Sequence, residues 1–159
     1  MDETTFWQYD GPKTGTGTLM NKRVLRVASA LNVLIYRLSR GKWLGRFPPG
    51  APVCLLTTKG RKSGRSRTVP LLYLADGNDF IVVASQGGRP QHPGWYFNLE
   101  VDPSGELTIG SRRLPVTARR VSEEEKAQLW PRLVEIYPPY RDYERRTTRQ
   151  IPVVRLSPV

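Results

Sequence analysis

Residues 19–40, "LMNKRVLRVASALNVLIYRLSR", carry apolar side chains at intervals of three and four. Met20, Val24, Val27, Ala28, Leu31, Leu34, Ile35 and Leu38 fall on one stripe of a helix. Lys22, Arg26, Ser29, Arg37 and Arg40 lie opposite, with Val33 the one apolar residue on that side. The period predicts a basic amphipathic helix whose stripe packs on its own domain. Its basic face, flanked by Trp43 and Phe47, also suits contact with a membrane surface. The longest uncharged run, Val27 to Tyr36, is ten residues, too short for a bilayer crossing, which needs about 20.

After the breaker "FPPGAP" the period changes. "APVCLLTT" is a continuous apolar run of buried-strand length, and it makes Cys54 a buried strand residue. "TVPLLYLA" and "DFIVVAS" follow, joined by the hairpin signal "DGND". "GELTIGSRRLPVTARRV" reads as a second hairpin turning at Gly110-Ser111, with Pro115 suggesting an edge or a bulge. Between the hairpins, "HPGWYFNLEVDP" leaves room for one or two helical turns. "SEEEKAQLWPRLVEIY" opens with a capping box from Ser122 to Glu125, then comes the tyrosine-rich "YPPYRDYERRT", and "IPVVRL" is a last strand. The expected fold is mixed β with peripheral helices, a small barrel of about six mostly antiparallel strands. An N-terminal segment, 1–48, would precede a barrel domain, 49–159.

Charge separates the two parts. From Gly11 to Ala75 there are thirteen Lys or Arg and no Asp or Glu, whereas residues 76–159 hold twelve basic and eleven acidic residues. The first half therefore carries the electrostatic function. One cysteine excludes an intramolecular disulfide and a Cys-based zinc site, His92 reads as loop surface, and no metal site is expected. The acidic N-terminus has no signal-peptide core, so a cytoplasmic protein is expected.

The densest charge lies in "TTKGRKSGRSRTVP", where Lys59, Arg61, Lys62, Arg65 and Arg67 fall within nine residues, divided by glycines and serines. Nucleic acid is one anion such a loop could meet, but helix-turn-helix, RNA-binding and zinc-knuckle signatures are missing. A P-loop is excluded, because "GRKSGRS" lacks the GxxxxGK[ST] spacing and precedes a strand. What remains is a loop between strands whose glycines allow close approach and whose cations suit phosphate or carboxylates.

"LLTTKGRKSGRSRTVPLLYLADGNDFIVVASQGG", then "HPGWYFNL", then "WPRLVEIYPPYRDYERRTTRQIPVVRL" closely resemble the deazaflavin-dependent nitroreductases of actinobacteria, including their quinone reductase-like members. The resemblance spans residues 50–156 and implies a split β-barrel related to flavin-binding proteins. It also implies coenzyme F420, whose phosphodiester and glutamate tail match the acid-free loop. Transferred to this chain, Lys59, Arg61, Lys62 and Arg67 grip phosphate and tail, with Ser63 and Gly64 supplying backbone donors. Pro70, Leu71 and Leu72 run along the deazaflavin. Ala84, Ser85, Gln86, Gly87 and Gly88 form a second cofactor loop, and Trp95 and Asn98 close over the cofactor, with plain core packing the other reading of Trp95. Members often carry Lys where this chain has Gln86; Arg89, three residues on, stands to restore the cation.

The resemblance implies a reductase that transfers hydride from reduced F420 to a quinone or nitroaromatic acceptor. Tyr137, Tyr140 and Tyr143 line the acceptor pocket in the family. Phenols donate hydrogen bonds while presenting an apolar wall, which adds Tyr73 as a catalytic candidate. Two other readings stay open: an F420-binding or storage protein without its own substrate, and a basic protein that binds membrane or nucleic acid. A peripheral place on the inner face of the cell membrane, on anionic lipid, would bring the enzyme to menaquinone.

Overall fold

The computed structural model describes residues 31, 33–42, 46–47 and 50–159. Most of the expected helix 19–40, Trp43 and the proposed boundary at 48/49 lie outside the described residues. The helix is seen in its last turns, at 33–38 (α1). It is followed by β1 (Arg46–Phe47), β2 (Ala51–Lys59), β3 (Ser66–Leu72), β4 (Leu74–Asp76), β5 (Asp79–Val83) and a 3-10 turn (Gln86–Gly88). After α2 (Gly94–Val101) come β6 (Ser104–Ile109), β7 (Arg112–Arg120), α3 (Glu123–Ile136), α4 (Tyr140–Arg146) and β8 (Val153–Pro158).

Both expected hairpins are present, turning at Gly77-Asn78 and Gly110-Ser111, and Gly77 has the positive φ of +62° that its turn demands. The neighbours run β2-β6-β7-β8-β5-β4, every pair antiparallel. The ring closes because "TVPLLYLA" is not one straight strand. It bends at Tyr73, whose N–H donates to Pro52 O at 3.1 Å, so that β3 pairs with β2 while β4 pairs with β5. The six-stranded antiparallel barrel expected from the sequence is the observed fold. Pro115 sits in β7, a strand flanked on both sides, opposite Glu106 of β6, and its carbonyl accepts from Val159 N at 3.0 Å just past the end of β8.

Alternation along the strands sorts the apolar residues into two cores. Leu56, Leu71, Val82, Leu107, Val116 and Leu156, one from each wall of the barrel, fill the interior together with Trp95, Tyr96 and Leu99 of α2. Leu55, Leu72, Ile81, Val83 and Val153 point outward beneath Leu129, Leu133, Tyr137 and Tyr140. Cys54 is fully buried, and burial pushes its thiol far above the ordinary range. α3 is capped as expected, Ser122 Oγ accepting from Glu125 N at 3.1 Å.

α1 reverses the sequence expectation. Its contacts with the barrel are made by Val33, packed against the outer core, by Arg37, whose NH2 donates to Thr68 Oγ1 at 3.4 Å, and by Tyr36. The buried Tyr36 hydroxyl donates to Val53 O at 3.0 Å and accepts from Gly110 N at 2.9 Å. Leu31, Leu34 and Leu38, the expected packing stripe, are 52%, 50% and 76% exposed. One buried phenol bonded at both ends outweighed the longer apolar face. A hydrophobic period says only that a face seeks cover, not what covers it.

Opposite α1, Arg155 ties three elements together. Its guanidinium, 13% exposed, reaches Glu125 at 2.7 Å and Asp76 and Asp79 at 2.9 Å. Arg132, then Arg155, holds the Asp76 carboxyl below its usual range, and Arg119, then Arg155, does the same for Glu125. Carboxyls with native pKa values below their unfolded ones (about 4) stabilise the fold above that pH. The contribution disappears as pH falls through the lowered native values. Arg155→Met is expected to cost about 2–4 kcal/mol at pH 7, the acids being only partly buried. The deficit should shrink steadily between about pH 5 and pH 2. Urea unfolding across that range measures it, and a deficit independent of pH would remove the ion pairs from the explanation.

Candidate active site

The cationic loop is a tight turn joining β2 to β3. Gly60 N donates to Arg65 O at 2.8 Å and Gly64 N to Gly60 O at 2.7 Å. A Cβ at Gly60 would sit 2.8 Å from Ser63 Oγ and 3.1 Å from Arg65 O, so a larger residue would have to displace Ser63 and press on the turn's backbone. Lys59, Lys62 and Arg65 are exposed and, among the described residues, form no ion pair. The second half differs: Arg113, Arg119, Arg120, Lys126, Arg132 and Arg155 all face carboxylates. Exposed cations outside any ion pair, on a tight turn, are available to an external anion, Lys59 acting on Asp102 only as a minor influence after Ser104.

Arg61 has a different setting. Its guanidinium lies over the Phe97 ring, 4.9 Å from the centroid, with NH1 3.4 Å from Asn98 Oδ1 and 3.5 Å from Gly94 O. Its backbone N–H also donates to Asn98 Oδ1 at 3.1 Å, and Asn98 Nδ2 donates to Thr58 Oγ1 at 3.1 Å. Arg61 and the buried Asn98 thus fasten the loop to α2. Trp95 is buried in the barrel interior, and its Nε1 is the one buried side-chain polar atom without a partner among the described residues.

Strand alternation divides the three residues expected along the cofactor. Leu71 points into the barrel, whereas Leu72 faces the outer core, and Pro70 shares the parity of Leu72. The second loop begins with the buried Ala84 and Ser85. Gln86, Gly87 and Gly88 follow with φ of +45°, +64° and +75°. With its amide turned so that Nε2 donates, Gln86 reaches Gln91 O at 3.1 Å and His92 O at 3.0 Å. That gives the neutral amide an internal role which a lysine could not copy in both geometry and charge.

Sequence reasoning missed Arg149. Its Nε donates to Arg89 O at 2.8 Å, NH2 to Ser85 O at 2.8 Å and Ala84 O at 3.2 Å, and NH1 meets His92 Nδ1 at 2.9 Å. His92, expected at the loop surface, is half-buried against Tyr96 and Phe97.

The tyrosine-rich segment is helical as α4, and it brings three of the four candidate phenols together. Tyr137 and Tyr143 hydroxyls are 3.1 Å apart, and the Tyr140 ring lies 5.0 Å from that of Tyr137 and 6.3 Å from that of Tyr143. Burial first, then its two neighbouring phenols, pushes the Tyr140 hydroxyl far above the ordinary tyrosine range, so it stays protonated and can donate. Tyr73 does not join them; its ring meets Phe80 edge-on at 5.6 Å on the inner-core side. Gly88 packs so closely on α4 that a Cβ there would lie 2.8 Å from Tyr143 O. The glycine loop and the phenols form one seam.

The structure is thus a split barrel with a cationic loop fastened to α2 and a separate cluster of phenols packed on the glycine loop. The chain belongs to the F420H(2)-dependent quinone reductase family, whose family model matches residues 28–158. An F420H(2)-dependent quinone reductase of Mycobacterium tuberculosis is 41% identical over 130 residues, 80% of this chain and 87% of the relative. Among solved structures, an F420-H2 dependent reductase is 43% identical with a TM-score of 0.62, covering 67% of this chain and 94% of that one. A chain described as a domain-swapped dimer is 36% identical with a TM-score of 0.65, covering 84% and 96%. The protein is an oxidoreductase and its cofactor is reduced F420, as the sequence resemblance implied.

The two kinds of loop cation should separate experimentally. Arg61→Met is expected to lose about 1–2 kcal/mol of stability with its ring and amide contacts. Lys59→Met with Lys62→Met should leave the melting temperature within about a degree and weaken F420 binding roughly 10- to 100-fold. Calorimetric titration beside thermal melts distinguishes them, and full F420 affinity in the double lysine variant would exclude those lysines from the site.

Proposed function

We propose that this protein transfers hydride from reduced F420 to a quinone, with nitroaromatic compounds as further acceptors, at the seam between residues 84–88 and the tyrosines of α3 and α4. The observation that carries this reading is the approach of Gly88 to Tyr143. It sets the expected cofactor loop and the phenols within one side chain of each other. When bound, the reduced deazaflavin supplies the hydride. The chain's own residues orient, exclude water and handle charge. Lys59, Lys62 and Arg67, with the backbone of Ser63 and Gly64, hold phosphate and tail, while Pro70 and Leu72 offer an apolar strand surface. A quinone oxygen gaining charge needs a donor, and the Tyr143 hydroxyl, half-buried and paired with Tyr137, is placed to supply one. Tyr140, fixed in its protonated state, reinforces that wall.

Tyr143→Phe and Tyr140→Phe are therefore expected to lower menadione turnover about 10²–10³-fold, less where water substitutes, with F420 affinity changed much less. Turnover unchanged in both variants would return the phenols to packing.

The acceptor's source follows from α1. No helix among the described residues is long and apolar enough to cross a membrane. The exposed Leu31, Leu34 and Leu38 lie beside exposed Arg37, Arg40 and Lys42, a pairing of apolar stripe and cations that suits anionic lipid. Each cation near such a surface contributes about 1 kcal/mol. Val33 and Tyr36 belong to the same apolar cluster as Tyr137 and Tyr140, so docking through α1 would bring the phenols toward the bilayer that holds menaquinone. The full chain should sediment with phosphatidylglycerol vesicles at low salt. Sedimentation should fade with added salt and in a Leu31→Ser, Leu34→Ser, Leu38→Ser variant that still binds F420. A full-length chain that stays in the supernatant at low salt would mean that the stripe meets residues 1–30 or a second copy instead.

A further inference from the structure

Around Arg149 the chain folds inside out. A guanidinium has five N–H donors in a fixed fork, and here each has an acceptor. Nε takes Arg89 O at 2.8 Å, NH2 takes Ala84 O and Ser85 O, and NH1 takes His92 Nδ1 at 2.9 Å and Gln150 O at 3.5 Å. Apart from Gln150 O, which is next in sequence, the carbonyls come from the start and middle of one segment, 84–92, and the imidazole from its end. On the other side of that segment, Gln86 Nε2 bridges the carbonyls of Gln91 and His92. Gln86, the one non-glycine here at positive φ (+45°), would not hold this shape by itself.

We propose that Arg149 is a positioning residue of the cofactor site, holding residues 84–92 in the shape that receives F420, with His92 as the acceptor that completes its fork. The proposal rests on residues 84–88 being a cofactor loop. It predicts a dependence on acid that packing alone would not create. Besides Arg149, the charged groups facing His92 are Glu100 and Arg120, and the rings of Tyr96 and Phe97 lie against it. Burial first, then Arg149, holds the imidazole below its ordinary pKa, so at pH 7 it is neutral and Nδ1 can accept. The clamp is complete above that native value and is lost as pH falls through it, because protonation would set two cations 2.9 Å apart.

Amide hydrogen exchange on the full chain without cofactor, beside calorimetric F420 titration, tests this. In Arg149→Met, exchange at 84–92 should rise at least about tenfold while β2 and β5 keep their protection. The F420 Kd should rise in proportion to the lost fraction of receptive loop, about tenfold if one loop in ten keeps its shape. His92→Phe, which keeps the ring and removes the acceptor, asks the same question should Arg149→Met fail to fold. His92→Asn places an amide oxygen near the Nδ1 position, so it should bind like the native chain at pH 7 and weaken less between pH 7 and pH 5. Comparison at equal pH cancels the titration of the ligand itself. Unchanged exchange at 84–92 in both Arg149→Met and His92→Phe overturns the clamp. Faster exchange with an unchanged Kd overturns its role in binding. In that event the lysine pair separates the causes: if Lys59→Met with Lys62→Met still loses F420, the cationic turn stands as part of the site and only the clamp is wrong; if it does not, those lysines lie outside the site as well.

Discussion

The bend at Tyr73 is the constraint from which the rest of the molecule follows. A sheet of these strands left open would expose β2 along one edge and β4 along the other. By changing neighbour within a single run of chain, β3 and β4 satisfy both edges at once, and the sheet becomes a ring with an inside and an outside. Only then does alternation acquire meaning: Leu71 belongs to a sealed interior, and Leu72 to the outer core that carries the phenols. Closure also gives α2 its place, since Trp95, Tyr96 and Leu99 pack with the interior. The cationic turn extends from the same β2–β3 pair and is fastened to α2 through Arg61 and Asn98.

Electrostatics follows the same division of labour. The acids of the second half are spent internally, most of all around Arg155, which joins the β4–β5 turn to β8 and α3. Among the described residues, Lys59, Lys62 and Arg65 form an ion pair with none of them; Asp102, lowered first by Ser104, feels Lys59 only as its smallest influence. Charge pairing stabilises the barrel around Arg155, and the turn proposed to meet the cofactor keeps Lys59, Lys62 and Arg65 outside such pairs among the described residues. Low acid content near the turn is thus a functional property as much as the cations are. One Asp within reach of Lys62 would give it an internal partner and reduce what it offers a phosphate.

Features written in neighbouring residues could be read from the sequence, and those made between distant ones could not. Turns at Gly77-Asn78 and Gly110-Ser111, the Ser122 cap and the helical spacing of Tyr140 and Tyr143 are local, with a steric or hydrogen-bonding cause inside a few residues. Tyr36 and Arg149 act across gaps of 74 and 65 positions, to Gly110 and Ala84, and no pattern near either residue announces the partner. The face of α1 was misjudged for the same reason. Its period described the helix correctly, but which side meets the barrel was decided by a single hydroxyl between Val53 and Gly110. Arg61 was legible as a cation and not as a fastener, because Phe97 and Asn98 reach it only after folding.

The approach of Gly88 to Tyr143 joins the glycine loop to α4. A backbone approach this close leaves no layer of side chains to absorb movement, so a displacement of residues 86–88 must be shared by α4. Tyr143 is itself tied to Tyr137 at the end of α3, and the rings of Tyr137 and Tyr140 are in edge contact. The cofactor loop and the acceptor wall therefore move as one unit or not at all. A rigid seam suits hydride transfer, which tolerates little error in donor–acceptor distance.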